Sequence, residues 1–390
     1  MRLLLVSSEF PPGPGGIGSH AYQVVHRLWK MGWEVTVLSP QEYVGPKEIK
    51  TFNESQPFEV VRLGSSVLPP LTALRRFSVL YAWVKNWQPH VVLASGERPV
   101  WLTALLARLY PIRWATIGHG LEFGNTRAWC RLVSRWAFSS ADGVICVSNY
   151  TRGRMLEMGV TPRSQVVIPN GADESFFQPL TQEQVSAFRR QLGLEQNPLL
   201  LTVGHVTERK GQDVVIRALP RVLQSAPEAH YLMAGLPALQ EPLTELARSL
   251  GVEDRIHFLG RVDADTLAAA YNACDVYIMT SRHSKSGDFE GYGIAVVEAA
   301  FCGKPSIVSA GSGLEEAISA GKTGLVVPED DPRATADAII ELFENPDLRQ
   351  QFGRQARERA LGEQTWASRK VQYDRVLKAI ANGLVPSVEN

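Results

Sequence analysis

The apolar residues of this chain form short runs that alternate with helical patterns. Each run is rich in leucine, valine or isoleucine, which favours a β-strand. Near-continuous apolar strands that alternate with helices are typical of a parallel sheet covered on both faces. A first series of predicted strands consists of Leu3–Val6, Glu34–Leu38, Val91–Leu93, Trp114–Ile117 and Val144–Val147.

The same alternation returns in the second half of the chain. The predicted strands there are Leu199–Val203, Tyr231–Ala234, Ile256–Leu259, Val276–Met279, Ser306–Val308 and Leu325–Val327. Two such series predict an α/β protein with two doubly wound, Rossmann-like domains in tandem. The seam is expected between Asn170 and Pro198, where a turn and the polar helix Gln182–Gln191 interrupt the strands. Ligands of such domains bind beyond the carboxyl ends of the strands, so we expect a site in a deep cleft between the domains.

Composition adds little to this picture, but the distribution of charge changes it. The 390 residues are 45% apolar and 21% charged, as in soluble globular proteins, and the 40 basic residues balance the 40 acidic ones. Residues 1–174 carry 18 basic and 12 acidic side chains, whereas the remainder carries 22 and 28. The halves are therefore electrically unlike. The balanced total charge says nothing about a nucleic acid partner, and none is expected.

Tryptophan is concentrated in the basic half. Eight of the nine tryptophans lie within the first 136 residues, interleaved with arginines. Basic and aromatic residues together are typical of a membrane interface. The interpretation that we favour is that most of these tryptophans belong to the core. The eight are Trp29, Trp33, Trp83, Trp87, Trp101, Trp114, Trp129 and Trp136.

Cysteine spacing and hydropathy favour a cytoplasmic protein. The four cysteines form no C-x-x-C pair, so we expect buried thiols in a reducing compartment and no metal site. No signal peptide opens the sequence, and no uncharged apolar run is long enough to span a bilayer. Peripheral attachment at the inner face of the membrane stays open as an alternative.

Two glutamates eight positions apart are the most informative candidates for chemistry. Glu290 lies in a glycine-rich stretch, and Glu298 lies in an apolar, alanine-rich run that should be helical. The N-terminus of that helix therefore falls between them. Unpaired N–H groups and the helix dipole make such a terminus a site for anions such as phosphate. Two acids beside it indicate a hydroxyl-rich ligand that carries phosphate.

A glycine loop after the first strand raises an alternative function. Gly13, Gly15 and Gly18 satisfy G-x-G-x-x-G, the pattern of dinucleotide-binding enzymes. That pattern needs an acid at the end of the second strand, but this strand ends in Ser39 and Pro40. We therefore favour a loop that approaches a phosphate from across the cleft.

An Asp-Ala-Asp sequence has a structural interpretation and a functional one. Asp263 and Asp265 match D-x-D, a metal-binding pattern of some sugar-transfer enzymes. They also open a helical run, where aspartates serve as N-cap and first-turn acids. We favour capping and expect no metal.

Two basic residues and one histidine follow predicted strands directly. Arg209 and Lys210 come after the first strand of the second domain, where preplaced cations would stabilise a departing diphosphate. His119 follows the strand Trp114–Ile117 between glycines. Structural and functional roles for His119 remain equally open.

Taken together, these segments resemble the retaining glycosyltransferases of family 4, which have the two-domain GT-B fold and an E-x7-E motif. The resemblance spans nearly the whole chain. It rests on the order and spacing of Pro11–Gly18, His119-Gly120, Val167–Asp173, Val203–Gly211, Phe258–Val262, the Glu290/Glu298 pair and Gly321–Pro328.

The resemblance implies a nucleotide sugar bound by a second domain at residues 176–365. Glu290 would face the sugar hydroxyls, Glu298 would bind the ribose, and Lys210 with Arg209 would hold the diphosphate as the leaving group. Other implied donor-binding residues are Gly16, His205, Arg261, Val262, Gly291, Tyr292, Gly293 and Ile294. Many relatives carry arginine where this chain has His205, and we expect Arg209 to replace it, since neutral imidazole is the weaker phosphate partner.

The first domain, residues 1–175, would bind the acceptor, with His119 near the reacting carbon and a C-terminal helix at about 366–382 returning to it. The expected reaction transfers glucose from UDP-glucose, with retention, to a saccharide or lipid-linked saccharide in exopolysaccharide or cell-envelope polysaccharide synthesis. A mannosyltransferase that uses GDP-mannose is the alternative. No cofactor or metal is expected, and an anionic membrane surface is a candidate partner.

Three other functions stay open. A nicotinamide (NAD-dependent) oxidoreductase rests on the glycine loop. Phosphorolysis or epimerisation of nucleotide sugars would suit the same architecture, and a non-catalytic sugar-binding module would need no chemistry.

Overall fold

The computed structural model describes residues 1–13, 15–42, 44–124 and 126–386. Over these residues the chain forms 13 β-strands and 16 α-helices, divided between two compact units. Unit 1 comprises Met1–Asn170 together with Trp366–Asn390, and unit 2 comprises Gly171–Thr365. The division falls after residue 170, whereas the sequence placed it after residue 175.

Unit 1 contains a parallel sheet flanked by helices. In the described residues its seven strands have the order β3-β2-β1-β4-β5-β6-β7. The strands are β1 Arg2–Ser7, β2 Glu34–Ser39, β3 Glu59–Arg62, β4 Val91–Ser95, β5 Trp114–Gly118, β6 Gly143–Cys146 and β7 Gln165–Val167. The helices are α1 Gly16–Lys30, α2 Pro46–Glu54, α3 Pro69–Trp87, α4 Glu97–Leu109, α5 Leu121–Gly124, α6 Ala128–Ser139, α7 Asn149–Glu157 and, after unit 2, α16 Trp366–Ala381.

Unit 2 repeats this architecture with a parallel sheet of six described strands, in the order β10-β9-β8-β11-β12-β13. The strands are β8 Leu199–Val203, β9 His230–Ala234, β10 Ile256–Gly260, β11 Val276–Met279, β12 Ser306–Ser309 and β13 Gly324–Val327. The helices are α8 Gln182–Leu192, α9 Gln212–Ser225, α10 Gln240–Ser249, α11 Ala264–Ala273, α12 Ile294–Phe301, α13 Leu314–Ala317, α14 Pro332–Glu344 and α15 Pro346–Glu363. Single 3-10 turns lie at Glu208–Lys210 and Glu253–Arg255.

The predicted fold class is confirmed: both units are Rossmann-like, and every predicted strand forms. Central strands such as β4 and β5 are buried along their whole length, which explains their continuous apolar runs. The sequence missed β3 and β7. Both are short strands, of four and three residues, at the two edges of their sheet.

Helix α16 belongs to unit 1 although unit 2 separates it from the rest of that unit. It packs against α1 and buries Trp366 and Tyr373. Trp33 Nε1 donates a hydrogen bond of 2.7 Å to Asp374 Oδ1. Contacts of this kind join the two ends of the chain in one core.

The exposure of the tryptophans in unit 1 shows that the interpretation from the sequence was wrong, because most of them are not core residues. Of the eight, Trp33 and Trp114 are fully buried, whereas Trp29, Trp129 and Trp136 are exposed and the remaining three are half-buried. The four cysteines are buried free thiols, as predicted, and the reducing compartment stays a prediction. Among the described residues, none of the helices has both the length and the apolar character needed to cross a membrane.

Candidate functional site

The loop after β8 places two cations at the carboxyl edge of the sheet of unit 2. Gly211 ends the 3-10 turn at a φ of +67°, and a Cβ there would lie 1.9 Å from the carbonyl oxygen of Thr280. Thr280 Oγ1 also donates a hydrogen bond of 2.7 Å to the Gly211 carbonyl. Glycine therefore lets this loop close onto the end of β11, which fixes Arg209 and Lys210 at that edge.

Arg209, Lys210 and Glu290 form an ion triad. Lys210 Nζ lies 2.7 Å from Glu290 Oε2, and Arg209 Nη1 donates to the same oxygen. The Lys210 and Glu290 side chains are only 12% and 14% exposed. The sequence assigned the cations to a diphosphate and the acid to a sugar, whereas the structure brings all three into direct contact.

Burial and the neighbouring charges of the triad together set the pKa values of Glu290 and Lys210. Burial by itself would raise the pKa of Glu290, but the adjacent charges of Lys210 and Arg209 outweigh it and lower the pKa to about 2. Burial lowers the pKa of Lys210 below its ordinary value, and the Glu290 carboxylate opposes that shift. The triad therefore carries one net positive charge at neutral pH, which suits an anionic ligand.

Glu298 lies on α12 and has a hydrogen-bond partner that the sequence did not reveal. Tyr271 of α11 donates from its hydroxyl to Glu298 Oε2 at 2.6 Å. Burial raises the pKa of Glu298 to about 7, and the Tyr271 hydrogen bond partly counteracts the shift. Glu298 therefore changes charge near neutral pH, and Tyr271 influences where it does so.

The segment between the two glutamates turns into α12 as predicted. Gly293 has a φ of +91°, and a Cβ there would lie 2.5 Å from the Leu314 side chain. Helix α12 begins at Ile294, and its N-cap Gly293 has no side chain to cap the first turn, although the Gly293 carbonyl accepts a hydrogen bond of 3.0 Å from the Val296 N–H. The side chain of Tyr292 is only 3% exposed, and its hydroxyl accepts a hydrogen bond of 3.0 Å from Gln364 Nε2. The Tyr292 side chain is therefore held within unit 2, and the assignment of Gly291 to Ile294 to the donor stays a prediction.

The other predicted donor residues of unit 2 lie at ends of strands of the same sheet. His205 follows β8, and burial, with the charges of Lys210 and Arg209, lowers its pKa. His205 is therefore neutral at pH 7, which supports the expectation that Arg209 acts in its place. Arg261 and Val262 directly follow β10, where Arg261 is exposed and Val262 half-buried.

In unit 1, His119 belongs to a histidine cluster with Ser95, His20 and Tyr373. His119 Nε2 lies 2.9 Å from Ser95 Oγ, and the rings of His119 and His20 meet edge to face at 5.1 Å. His20 Nε2 lies 3.1 Å from the Tyr373 hydroxyl of α16. Burial lowers the pKa of His119 to about 4, so His119 is neutral at physiological pH and suited to hydrogen bonding.

Glu122, which the sequence did not single out, supports the backbone of His119. Its Oε2 accepts hydrogen bonds from the N–H groups of His119 at 3.1 Å and Gly120 at 2.9 Å. The Glu122 side chain is buried, and burial raises its pKa to about 7. A glutamate three residues after a histidine carries too little local signal to predict this turn.

The glycine loop of unit 1 leads into α1. Gly16 is the first residue of α1, is exposed, and has no atom within 4 Å of the place a Cβ would take. The Glu9 carboxylate lies against Gly15, where a Cβ would be 2.1 Å from Glu9 Oε2. Burial raises the pKa of the Glu9 carboxyl. Pro14 lies outside the described residues.

The capping role of the Asp-Ala-Asp sequence is confirmed. Asp263 is the N-cap of α11, and its Oδ1 accepts a hydrogen bond of 2.8 Å from the Thr266 N–H. Asp265 lies in the first turn of the same helix. The described residues contain no cluster of three or more histidine, cysteine or carboxylate side chains able to hold a metal ion.

Comparison with known proteins identifies the family. The model of the Glycosyltransferase Family 4 matches residues 14–176, and that of the Glycosyl transferases group 1 matches residues 184–359. The chain is 30% identical to a GDP-mannose-dependent alpha-(1-6)-phosphatidylinositol monomannoside mannosyltransferase of Mycolicibacterium smegmatis, over 96% of this chain and 98% of that protein. This chain belongs to the GT-B glycosyltransferases. The protein of the same name from Mycobacterium tuberculosis is 31% identical to this glycosyltransferase, over 94% of the chain and 95% of the relative.

Solved structures agree with the fold of this glycosyltransferase. Anabaena HepE in complex with UDP-glucose superimposes with a TM-score of 0.83 at 21% identity, over 97% of this chain and all of that chain. Membership of the family removes the interpretation of the glycine loop as a nicotinamide site. His20, Ser95 and His119 lie in the half matched by the Family 4 model, whereas their partner Tyr373 lies outside both matched ranges. The ion triad lies in the half matched by the group 1 model.

Proposed function

We propose that this glycosyltransferase transfers mannose from GDP-mannose to a hydroxyl of a lipid-linked saccharide, with retention at the anomeric carbon. The observation that carries the donor and the acceptor class is the near-full-length similarity to phosphatidylinositol monomannoside mannosyltransferases at 30 to 31% identity. The ion triad supports the leaving-group chemistry, because it places two cations beside a carboxylate at the carboxyl edge of the sheet.

This donor replaces the UDP-glucose that the sequence favoured. Relatives of nearly full length are named for GDP-mannose, whereas the UDP-glucose complex of HepE is only 21% identical and bears on the fold alone. The alternative drawn from the sequence, a GDP-mannose-dependent mannosyltransferase, is therefore better supported than its first choice.

In the proposed reaction, the acceptor oxygen forms a bond to the anomeric carbon on the face from which the diphosphate leaves. The bond from that carbon to the phosphate oxygen breaks, and the departing phosphate oxygen takes the acceptor proton. Lys210 and Arg209 stabilise the negative charge that develops on the diphosphate. Glu290 accepts hydrogen bonds from the sugar hydroxyls, and Glu298 accepts them from the ribose.

Neutral His119 has a separate role, as a hydrogen-bond partner on the acceptor side. Its ring is held by Ser95, and its backbone is held by Glu122. Because its pKa is about 4, it can accept or donate a hydrogen bond without carrying charge at neutral pH.

The proposal is tested with purified protein, GDP-mannose or UDP-glucose, and a phosphatidylinositol monomannoside acceptor. We expect transfer of mannose, an α-linked product, and an increase in melting temperature with GDP that exceeds the increase with UDP. Transfer of glucose alone would restore UDP-glucose as the donor. A β-linked product would contradict retention, and donor binding without transfer to any saccharide acceptor would favour a non-catalytic sugar-binding module.

The titration of Glu298 predicts that nucleotide binding depends on pH. Ribose hydroxyls donate to the ionised carboxylate, so GDP affinity is expected to fall as the pH drops below about 7, with a limiting slope of about tenfold per pH unit. Tyr271→Phe removes a hydrogen bond that lowers this pKa, so the midpoint should move to higher pH. Calorimetric titration with GDP between pH 5.5 and pH 9, roughly two units either side of the midpoint, measures both.

Glu298→Gln is the matched control for this prediction, because glutamine keeps the shape of the side chain and does not titrate. The phosphate of GDP, whose second ionisation lies near pH 6, contributes to any pH dependence that persists in this variant. An unchanged midpoint in Tyr271→Phe, or an unchanged pH profile in Glu298→Gln, would contradict the assignment of the ribose to Glu298.

A further inference from the structure

Helices α3, α4 and α6 form a layer of unit 1 whose outer surface is unusually apolar. Helix α4 packs against both α3 and α6, so the three lie side by side. Large apolar side chains are exposed on them and on the segment before α3, with Val67 98% and Trp129 58% exposed. Soluble proteins rarely expose contiguous apolar areas of this kind unless they bind something. The exposed residues are Val67, Leu68, Leu71, Leu74, Tyr81, Leu105, Leu109, Trp129, Leu132 and Trp136.

Two parts of this layer lie near the functional edge of the sheet. Helices α3, α4 and α6 follow β3, β4 and β5, so in a parallel sheet their N-terminal ends lie at the carboxyl edge of the strands. The exposed segment Val67–Leu74 leads into and begins α3, and Trp129 and Leu132 lie at the start of α6. His119 leaves β5 at the same edge. Six of the ten exposed apolar residues thus lie near the edge that carries the candidate acceptor histidine, whereas Leu109, 68% exposed, ends α4 at the opposite edge.

The charge of the layer is strongly one-sided. The three helices contain seven basic residues and a single acid, Glu97. Arg75, Arg98, Arg131 and Arg135 are exposed, and within the described part of the chain none of the four takes part in an ion pair. Their guanidinium groups are therefore available to an anionic partner.

On α6 the two kinds of residue form adjacent stripes. Trp129, Leu132 and Trp136 are spaced by three and four residues and share one side of the helix, while Arg131 and Arg135 follow the same spacing beside them. Tryptophan beside arginine suits the boundary between lipid headgroups and acyl chains, where one side of the helix meets apolar tails and the other meets phosphates. A nucleic acid would match the arginines but leave the exposed leucines and Val67 in water.

We propose that α3, α4 and α6, with the segment Val67–Leu74, form a docking surface for an anionic lipid bilayer. The apolar stripe and Val67–Leu74 enter the boundary between headgroups and acyl chains, and the arginines contact lipid phosphates. The purpose of docking rests on the proposed function, because docking would bring the enzyme to a lipid-linked acceptor that lies in such a bilayer. Docking itself requires neither donor nor acceptor, so the two can be tested separately.

The test measures flotation of the full-length protein with vesicles that contain no inositol lipid. One set is phosphatidylcholine, and the other is one part phosphatidylglycerol to three parts phosphatidylcholine. We expect binding to the anionic vesicles, weak binding to the neutral ones, and release by high salt. Arg131→Gln with Arg135→Gln should weaken anionic binding by about fivefold for each arginine, and Trp129→Ser with Leu132→Ser should weaken binding to the anionic vesicles at low salt.

Matched controls come from exposed residues outside the layer. Leu361→Ser removes an exposed leucine of α15, and Arg190→Gln removes an exposed arginine of α8. Both variants should bind vesicles as the wild type does, and thermal unfolding checks that every variant is folded. Equal binding to neutral and anionic vesicles, no binding to either, or unchanged binding of both double variants would overturn the proposal. A dimer in solution that Trp129→Ser disrupts would assign the surface to a second copy of the chain instead.

The outcomes also separate docking from the proposed function. Salt-sensitive vesicle binding without mannose transfer leaves the surface intact and removes the function. Transfer to a detergent-dispersed acceptor at the wild-type rate by both double variants, together with their loss of vesicle binding, supports both.

Discussion

Replacing Glu290 with glutamine is expected to tighten GDP binding about tenfold and to lower kcat for mannose transfer by about 10²-fold or more. Glu290 Oε2 accepts hydrogen bonds from Lys210 Nζ at 2.7 Å and from Arg209. The carboxylate therefore competes with a diphosphate for these two cations. The carboxylate also repels a diphosphate bound beside it, and glutamine removes that repulsion. Transfer falls because hydrogen bonds from the sugar to a neutral amide are weaker than those to a carboxylate.

Calorimetry with GDP, initial rates with GDP-mannose and thermal unfolding measure these effects together. Glutamine leaves two half-buried cations without a carboxylate, so the free variant should be less stable, and GDP should raise its melting temperature more than that of the wild type. Glu298→Gln serves as the control, because it should change GDP affinity in the opposite direction by weakening GDP binding. If GDP binds Glu290→Gln no more tightly than the wild type, the carboxylate does not compete with the diphosphate.

Lys210→Ala is expected to lower kcat by about 10²- to 10³-fold, because it removes a cation from the developing charge of the leaving diphosphate. Arg209→Ala should lower kcat by about tenfold or more, since Arg209 contacts the same oxygen of Glu290. His205→Ala should change it little, because the histidine is neutral at pH 7. Initial rates at saturating GDP-mannose measure all three variants.

Lys50→Ala is the matched control for the loss of a paired lysine. Lys50 pairs with Glu54 at 3.7 Å, but both side chains are mostly exposed, and such pairs contribute little. Its activity should equal that of the wild type. The reverse ranking, in which His205→Ala abolishes turnover and Arg209→Ala leaves it intact, would assign the diphosphate to His205.

The fold was largely predictable from periodicity, and the exceptions have a common cause. Buried central strands need continuous apolar runs, so β1, β4, β5 and β8 were evident. β3 and β7 have only four and three residues and carried too weak a signal, whereas the edge strands β10 and β13 of the other sheet were predicted. The tryptophans were misjudged for a related reason, because residue type alone does not tell a core position from an exposed one on a helix such as α6.

The candidate site was predictable in its members and not in its contacts. Glycine spacing, the ends of strands and the resemblance to family 4 pointed to Glu290, Glu298, Arg209 and Lys210. Only the structure paired Lys210 with Glu290 across 80 positions, and Tyr271 with Glu298 across 27.

By itself, the sequence determined the class of fold, the strand ends that carry polar side chains, and the Asp263 cap, since each depends on neighbours within a few residues. The tertiary structure decided which charges meet, which carboxylates titrate near neutral pH, and which apolar residues stay in solvent. These properties depend on side chains that parallel strands bring to one edge from distant parts of the chain, and on the water that packing excludes.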